Sequence, residues 1–333
     1  MNRSSSLTII AEIGSIHDGS FGNAIKAIDV ASDAGADIVK FQTHIAEAES
    51  LSNAPSPNYF TEESRTEYFK RTSFTFNQWI KISEHCSFKG VEFISSPFSI
   101  EAIELLEKIG VKAYKVPSGE VTNLPLLEKI VSTSKDVYLS TGMSDWGEID
   151  RAINVLRNSP NLIPMQCSSS YPCKPELVGL NVISEMLKRY NLPVGFSDHT
   201  LGFAAGISAV ALGCVAVEKH FTFSKLMYGS DAKNSMEPKE FKKFCTALKE
   251  AYKMRNSFVD KNDLGEYYNM KKIFEKSIVT SQNVKIGDIL GENNLAYKKP
   301  GDGISASFYK EVLGKTVNKD LSKDSKISWD DLI

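Results

Sequence analysis

Eight short, β-rich apolar segments occur along the first two-thirds of the chain, with helix-forming segments between them. The eight are Thr8–Ile13, Asp37–Gln42, Val91–Ser95, Ala113–Val116, Val137–Ser140, Leu162–Cys167, Val194–Ser197 and Val215–His220. Strands that alternate with helices eight times are typical of a (β/α)8 TIM barrel, an α/β fold. Because the active site of such a barrel lies at the C-terminal ends of its strands, the pattern predicts both the fold and the place of the site.

Helical periodicity between the strands supports the barrel. The segments with apolar residues at helical spacing are Asn23–Ala34, Ile100–Ile109, Leu124–Val131, Glu148–Leu156, Leu180–Tyr190, Phe203–Leu212 and Pro238–Met254. Gly35 and Gly110 directly follow two of them, which favours left-handed caps at these helix ends. The segment Ala46–Ser73 is long and contains little helical pattern, so we expect it to be a functional loop that covers the site.

The pattern breaks after Met254. We predict a barrel over residues 1–255, a polar linker over 256–270 and a small β-rich module over 271–333. A module of roughly 60 residues buries little apolar surface by itself. We therefore expect it to dock on the barrel or on a second subunit.

Composition excludes several classes of protein. A net charge of −2 gives no reason to expect nucleic acid or an anionic membrane as partner. The sequence shows neither a secretory signal nor a run of about 20 apolar residues for a membrane span. Five cysteines without CxxC spacing argue against a disulfide framework or a zinc ribbon. We expect a cytoplasmic protein.

The placement of histidines predicts a metal site. Of the five histidines, His17, His44, His199 and His220 lie at or just beyond a strand end, and only His85 lies within a helix. His199 and His220 end the seventh and eighth strands, which are neighbours in a closed barrel. Two imidazoles there can reach one divalent ion and leave positions for water and substrate. The alternative is a pair of hydrogen-bonded structural histidines.

Two lysines predict an anion site. Lys40 and Lys115 come from the second and fourth strands, with Ser118, Ser140 and Ser197 near them. A lysine inside a barrel mouth is costly unless it meets an anion, so these groups together favour a phosphate or carboxylate ligand. The alternative is that both lysines extend to the rim.

Two glutamates also lie at strand ends. Glu12 and Glu120 could orient water or move protons in a reaction. Alternatively, they could only balance the charge of the lysines. The sequence leaves both roles open.

Ten motifs occur in order along the chain: IIAEIGSIHDGS, VKFQTH, ISSPFS, AYKVPSGE, LSTGM, SSSYP, GFSDHT, VEKHFT, GSDAKNSMEP and KKPGDG. Together they resemble the sialic acid synthase family, whose members make N-acetylneuraminate, legionaminate or pseudaminate. The resemblance runs from Ile9 to about Ile333. The C-terminal module is similar to the SAF (antifreeze-like) domain of that family.

The resemblance implies a transferase that condenses phosphoenolpyruvate with an unphosphorylated N-acyl hexosamine, giving a nine-carbon 2-keto acid and phosphate. It implies that His199 and His220 hold Mn2+, and that Glu12 and Glu120 are catalytic. Phosphoenolpyruvate would contact Lys40, Ser96, Lys115, Ser118, Ser140 and Ser197. The sugar would contact Gln42, Tyr171, Asp231 and Lys299. It also implies a homodimer in which the SAF module of one chain covers the barrel of the other.

Three positions depart from the family pattern. Ile16 stands where the family usually has Asn, and Ser96 stands for the commoner Thr and keeps its hydroxyl. Lys299 stands for an Arg that contacts the N-acyl group of the sugar. Lysine keeps the charge but lacks the planar fork of Arg, so the sugar specificity can differ from that of N-acetylneuraminate enzymes.

The residues at the strand ends disfavour two other functions. Another phosphoenolpyruvate–aldose synthase, of the KDO8P or DAHP type, binds a sugar phosphate and needs an arginine cluster, whereas the strand ends here carry no Arg. A non-catalytic sugar-binding barrel would have lost metal or lysine positions first, and Lys40, Lys115, His199 and His220 are all present. The choice among sialate, legionaminate and pseudaminate precursors stays open.

Overall fold

The computed structural model of the chain describes residues 6–51, 53–55, 63–229 and 231–333. Its first eight strands agree with the eight predicted segments to within two residues at either end. They are β1 Thr8–Gly14, β2 Ile38–Thr43, β3 Glu92–Pro97, β4 Ala113–Val116, β5 Asp136–Ser140, β6 Leu162–Cys167, β7 Gly195–Asp198 and β8 Ala216–His220.

The helices of the barrel are α1 Phe21–Ala34, α2 Ala46–Glu49, α3 Arg65–Thr72, α4 Phe76–Phe88, α5 Ile100–Ile109, α6 Leu124–Ser132, α7 Trp146–Leu156, α8 Leu180–Tyr190, α9 Ala204–Leu212 and α10 Pro238–Asn256. The seven predicted helical segments correspond to α1 and to α5 through α10, whereas no helix was predicted for α2, α3 or α4. The two predicted glycine caps are confirmed, because Gly35 (φ 104°) and Gly110 (φ 82°) are left-handed and close the ends of α1 and α5.

The eight strands are parallel and close into a barrel, which confirms the predicted fold class. β1 pairs with β2 on one side and with β8 on the other. This register places Glu12 opposite both Lys40 and His220. Since side chains alternate along a strand, Glu218 points to the same side as His220, two residues further on.

An apolar layer fills the barrel below these polar residues. It consists of inward-facing residues from the first part of most strands, and an adjoining residue before β8: Ile10, Ile38, Ile94, Ala113, Tyr138, Ile163, Met165, Val215 and Ala216. A filled interior is the rule in barrels of this size. Glu12, Lys40, Lys115 and Glu218 follow these apolar residues toward the C-terminal ends of their strands, so their charges lie at that mouth of the barrel.

The long connection between β2 and α4 contains more helix than expected. Within Ala46–Ser73 the structure has the short helices α2 and α3, while residues 52 and 56–62 of the expected loop lie outside the described residues. Arg71 binds Asp18 and Glu63, each at 2.7 Å, and so connects α3 to the turn after β1. The predicted coverage of the site by this segment remains an expectation.

The chain divides into two compact units between Ser257 and Phe258. The second unit contains α11 Tyr267–Phe274, α12 Tyr309–Val312 and the antiparallel strands β9 Ser277–Thr280 and β10 Leu295–Lys298. Its core consists of Ile278, Val284, Leu290, Leu295, Ile304, Val312, Val317, Leu321 and Ile327.

The boundary between linker and module differs from the prediction. Residues 256–270 were expected to form a linker, yet α11 begins at Tyr267 and crosses into the predicted module. Its apolar residues, among them Tyr267, Met270 and Phe274, recur at helical spacing. The polar residues before them obscured this pattern.

Along the part of the chain that the structure describes, no helix has both the length and the apolar character that crossing a bilayer requires.

The close packing of α9 on α10 gives a stability prediction. A Cβ added to Gly206 would lie 2.6 Å from two ring carbons of Phe244, whose ring also packs against Phe203 and Phe241. We expect this overlap to exceed the gain of roughly 1 kcal/mol from helix propensity. Gly206→Ala should lower the free energy of unfolding by about 1–2 kcal/mol, as measured by urea denaturation.

The matched control for this prediction is Gly202→Ala. Gly202 is exposed, and an added Cβ there would meet no atom within 4 Å. Its effect should stay within about 0.5 kcal/mol. Equal stabilities of the two variants would show that the α9–α10 contact is looser than the structure indicates.

Candidate active site

Lys40 and Lys115 are both buried inside the barrel mouth, with 4% and 2% of their surface exposed. The alternative of lysines that extend to the rim is therefore wrong. They occupy inward positions of β2 and β4, where water cannot solvate the ammonium groups. A charge in such a place needs a partner of opposite sign.

Glu218 is the partner that joins the two lysines. The Nζ of Lys115 lies 2.9 Å from both of its carboxylate oxygens, and the Nζ of Lys40 lies 3.8 Å from one of them. The hydroxyl of Ser197 also donates to Glu218 at 3.2 Å. Burial alone raises the pKa of Glu218, but the charges of Lys115 and Lys40 outweigh it and lower the pKa to about 2. Glu218 is thus an anion whose charge offsets the positive charge of the lysines at the barrel mouth.

Glu12 supplies the second negative charge. Its carboxylate lies 2.8 Å from the Nζ of Lys40, which also donates to Ser96 at 3.3 Å. Burial lowers the pKa of Lys40, but Glu12 and Glu218 outweigh it and the net shift is upward. The pKa of Lys115 falls, because burial and repulsion by Lys40 exceed the attraction of Glu218. Lys115 therefore loses its proton more readily than Lys40.

The predicted serines near these charges differ in their hydrogen bonding. The hydroxyl of Ser118 accepts the N–H of Gly142 at 3.0 Å. The hydroxyl of Ser140 is buried and has no hydrogen-bond partner among the described residues. A buried hydroxyl without a partner is costly, so the geometry favours a ligand that supplies one.

The two predicted metal-binding histidines lie side by side, with ring centroids 5.6 Å apart. His199 Nδ1 lies 2.8 Å from the carbonyl oxygen of Ser168 and must donate to it, which leaves a lone pair on Nε2. His220 Nδ1 is buried and has no hydrogen-bond partner within the described part of the chain. A structural histidine would have its buried ring nitrogens paired, so His220 does not fit that alternative.

Two predicted sugar-binding residues lie beside the histidines. The ring of Tyr171 lies 4.1 Å from that of His199 and 6.0 Å from that of His220. An oxygen of Asp231 lies 3.9 Å from His220 Nδ1, beyond hydrogen-bond distance. A Cβ at Gly14 would lie 2.8 Å from the same carboxylate, so only glycine leaves room for Asp231 here.

The histidine pair fits a divalent ion. Each ring offers a lone pair, the carboxylate of Asp231 is near, and the other positions are open to water or substrate oxygens. Among the described residues, no group of three or more His, Cys, Asp and Glu forms a metal site by itself. This incomplete set is suited to a catalytic ion of the Mn2+ type rather than to structural zinc, which takes four protein ligands.

Two predicted residues stand apart from this cluster. Glu120 follows β4 in a 3-10 turn, and its carboxylate accepts from the side chain of Asn123 at 2.7 Å. Burial raises the pKa of Glu120. Lys299 belongs to the second unit, where its Nζ lies 4.6 Å from the ring centroid of Phe274.

Two of the residues that depart from the family pattern have surroundings that suit their side chains. Ile16 is buried in the apolar core between strands and helices, so this position contributes packing instead of a polar contact. The hydroxyl of Ser96 is present in the mouth and accepts from Lys40. The substitution of Thr by Ser therefore keeps the polar contact.

Sequence reasoning missed two residues of the site. Glu218 was not among the predicted site residues, although its spacing of two residues from His220 predicts the same side of the sheet. Cys167 was not among them either, but its Sγ lies 3.8 Å from His199 Nδ1. Burial raises the pKa of the Cys167 thiol, yet the contact with His199 outweighs it and the net shift is downward.

Comparison with known families gives two matches along the chain. The model of the NeuB family matches residues 27–260. The model of the SAF domain matches residues 275–333. The two matches fall on the barrel and on the second unit.

Individual relatives are similar over nearly the whole length. An N,N'-diacetyllegionaminic acid synthase of Campylobacter jejuni is 38% identical, covering 96% of this chain and 98% of the relative. A pseudaminic acid synthase of the same species is 31% identical over 96% and 95%. Among solved structures, an N-acetylneuraminic acid (sialic acid) synthetase from Leptospira borgpetersenii matches with a TM-score of 0.70 and 29% identity, covering 80% of this chain and 91% of that one.

Proposed function

Because the chain belongs to the NeuB family and is an enzyme of the sialic acid synthase type, we propose that it condenses phosphoenolpyruvate with an unphosphorylated N-acyl hexosamine. The products are a nine-carbon 2-keto acid and phosphate. The observation that carries this proposal is the pair of buried lysines beside two histidines at the mouth of the barrel.

The lysines suit phosphoenolpyruvate because it carries two acidic groups. Lys40 and Lys115 are held in place by Glu12 and Glu218, so an entering anion meets ammonium groups that are already oriented. The two glutamates cancel the charge of the two lysines. Further donors are therefore needed. The hydroxyl of Ser140, which has no hydrogen-bond partner in the described part of the chain, is available as one.

The reaction forms one carbon–carbon bond and one carbon–oxygen bond, and it breaks the carbon–oxygen bond to phosphate. C3 of phosphoenolpyruvate attacks the aldehyde carbon of the open-chain sugar, whose oxygen takes up a proton. Water then adds to C2 and loses a proton, and the C2–O bond to phosphate breaks while the new hydroxyl passes its proton to the departing phosphate and becomes the ketone. Every step moves charge, so fixed charges near the reacting atoms lower the barrier.

We assign the proton transfers to the two glutamates. Glu12 is fixed between Lys40 at 2.8 Å and the amide of Gln42 at 2.7 Å, and it accepts the proton of the attacking water. Glu120, whose pKa burial raises, keeps its proton to a higher pH and donates it to the aldehyde oxygen. Gln42, Tyr171 and Asp231 bind the sugar hydroxyls.

His199 and His220 would hold the divalent ion, with Asp231 beside them. When bound, an ion such as Mn2+ polarises a carbonyl as a Lewis acid. The hydrogen bond from His199 Nδ1 to Ser168 fixes the tautomer that presents Nε2.

The sugar is an N-acyl hexosamine of the mannosamine class or a 6-deoxy diacetamido analogue. The relatives named for legionaminic and pseudaminic acids make the diacetamido sugars the first to test. Lys299, in place of Arg, is a further reason to test more than one acyl group.

We propose that the active form is a homodimer in which the SAF unit of one chain covers the barrel mouth of the partner. The family resemblance supports this arrangement and puts Lys299 over the N-acyl group. The second unit has a small core, and no residue of α11 is buried. Tyr267, Met270 and Phe274 are all more than half exposed, and apolar groups of this size gain by docking.

The first test uses phosphate release from phosphoenolpyruvate with a panel of N-acyl hexosamines. Lys40→Ala and Lys115→Ala should each lose about 1.5–3 kcal/mol of binding to the substrate anion. This predicts a rise in the KM for phosphoenolpyruvate or a fall in kcat/KM of roughly tenfold to a hundredfold. Lys188→Ala, an exposed lysine on α8, is the control. Unchanged phosphoenolpyruvate kinetics in both variants would contradict the assignment.

The second test removes the metal. Chelation and dialysis should abolish phosphate release, and Mn2+ should restore it. Mn2+ at 100 times its Kd should also stabilise the wild-type chain by about 2.7 kcal/mol in thermal unfolding. This shift should vanish in His220→Ala and persist in His85→Ala, whose ring binds Asp29 on the outside of the barrel. Full activity after chelation would exclude the metal assignment.

The third test addresses the shared site. A Lys299→Ala chain and a His199→Ala chain should each be weak alone, because each lacks one part of every site. Mixed dimers should regain part of the activity, since one of their two composite sites is intact. A monomer in sedimentation, or no recovery after proven subunit exchange, would contradict the homodimer.

A further inference from the structure

The ring of His44 is held between two aromatic rings. Its side chain is only 6% exposed, and its centroid lies 3.6 Å from that of Phe69 and 4.1 Å from that of Phe98, with interplanar angles of 9° and 17°. The guanidinium of Arg65 covers Phe69 at 5.3 Å from its centroid. This stack fixes the plane of the imidazole, so its two nitrogens can point only to neighbours in that plane.

Both nitrogens have a partner there. His44 Nε2 lies 3.1 Å from Gln42 Oε1, and His44 Nδ1 lies 2.9 Å from Glu49 Oε2. The amide nitrogen of Gln42 donates to Glu12 Oε1 at 2.7 Å. A continuous chain of hydrogen bonds therefore runs from α2 through His44 and Gln42 to Glu12.

The orientation of the Gln42 amide follows from the chemistry of its two neighbours. The carboxylate of Glu12 can only accept, so the NH2 group of Gln42 must face it. The amide oxygen is then turned toward His44 and needs a donor. His44 Nε2 must therefore carry a proton.

The other side of the ring faces charged groups. Glu49 is 3% exposed, and its second oxygen lies 3.6 Å from Arg65. Burial lowers the pKa of His44 more than Glu49 raises it. The proton on Nε2 is required by the amide oxygen of Gln42 whether or not Nδ1 also carries one.

We propose that His44 is a positioning residue that fixes the Gln42 amide so that its NH2 group faces Glu12 and the bound sugar. The inference rests on the proposed function, in which Gln42 and Glu12 serve the sugar. A glutamine amide has two orientations of similar shape, and only one of them fits beside Glu12. His44 selects that orientation, and the stack on Phe69 and Phe98 fixes the imidazole that does so.

Two substitutions separate this role from simple packing. His44→Phe keeps a flat ring between Phe69 and Phe98 but removes both hydrogen bonds. His44→Gln loses the ring but can place an amide N–H near the position of Nε2. We expect His44→Phe to raise the sugar KM about tenfold, with kcat reduced and the KM for phosphoenolpyruvate unchanged, and His44→Gln to recover most of the loss. A packing role predicts the reverse order.

The matched controls are His85→Phe and His85→Gln. His85 also binds a carboxylate, Asp29, at 2.9 Å, but it lies on α4 outside the barrel. Both control variants should keep the wild-type KM for the sugar. Thermal unfolding of all four variants shows whether any loss of activity reflects loss of the fold.

A direct readout of the tautomer does not depend on catalysis. In 15N-histidine spectra, the His44 resonance can be assigned by its loss in either His44 variant, and it should report protonated Nε2. If no sugar of the panel gives phosphate release from the wild-type chain, the proposed function fails while this spectrum still tests the hydrogen bond. An active wild type whose His44 is protonated on Nδ1 only, or whose His44→Phe variant keeps its sugar KM, would overturn the inference.

Discussion

The ion pair between Glu218 and Lys115 is the interaction on which the rest of the site depends. Both groups are almost completely buried and lie 2.9 Å apart. Without Glu218, Lys115 would face the charge of Lys40 in a dry barrel mouth, and the cost of burying it would favour its neutral form. With Glu218, both lysines are held at fixed positions beside carboxylates, which is what the binding of an acidic substrate requires.

The architecture of the barrel brings this charge cluster next to the histidine pair. Glu218 and His220 are two residues apart on β8, so the alternation of side chains points both into the mouth. β1 follows β8 around the barrel and places Glu12 opposite His220 and Lys40. An anion held by the lysines would therefore lie close to His220, as the proposed condensation needs.

The chain of hydrogen bonds through His44 also fixes side chains beyond this charge cluster. Glu12 is fixed by Lys40 on one side and by Gln42 on the other, and Gln42 is in turn fixed by His44. Glu49, which completes the chain, belongs to the short helix α2 of the long connection after β2. That connection is thus tied to Gln42 and Glu12 by polar contacts as well as by packing.

The sequence alone determined the barrel, because alternating strands and helices leave few other ways to bury their apolar faces. Its motifs also identified the family correctly, and strand ends located nearly all residues of the mouth. The sequence could not determine which charges pair, since Glu12, Lys40, Lys115 and Glu218 are far apart along the chain. Only the closure of the barrel and its register decided that Glu218 joins both lysines, that His220 Nδ1 has no hydrogen-bond partner among the described residues, and that His44 contacts Gln42. Such contacts depend on distances of a few ångströms between strands, which local patterns of residues do not encode.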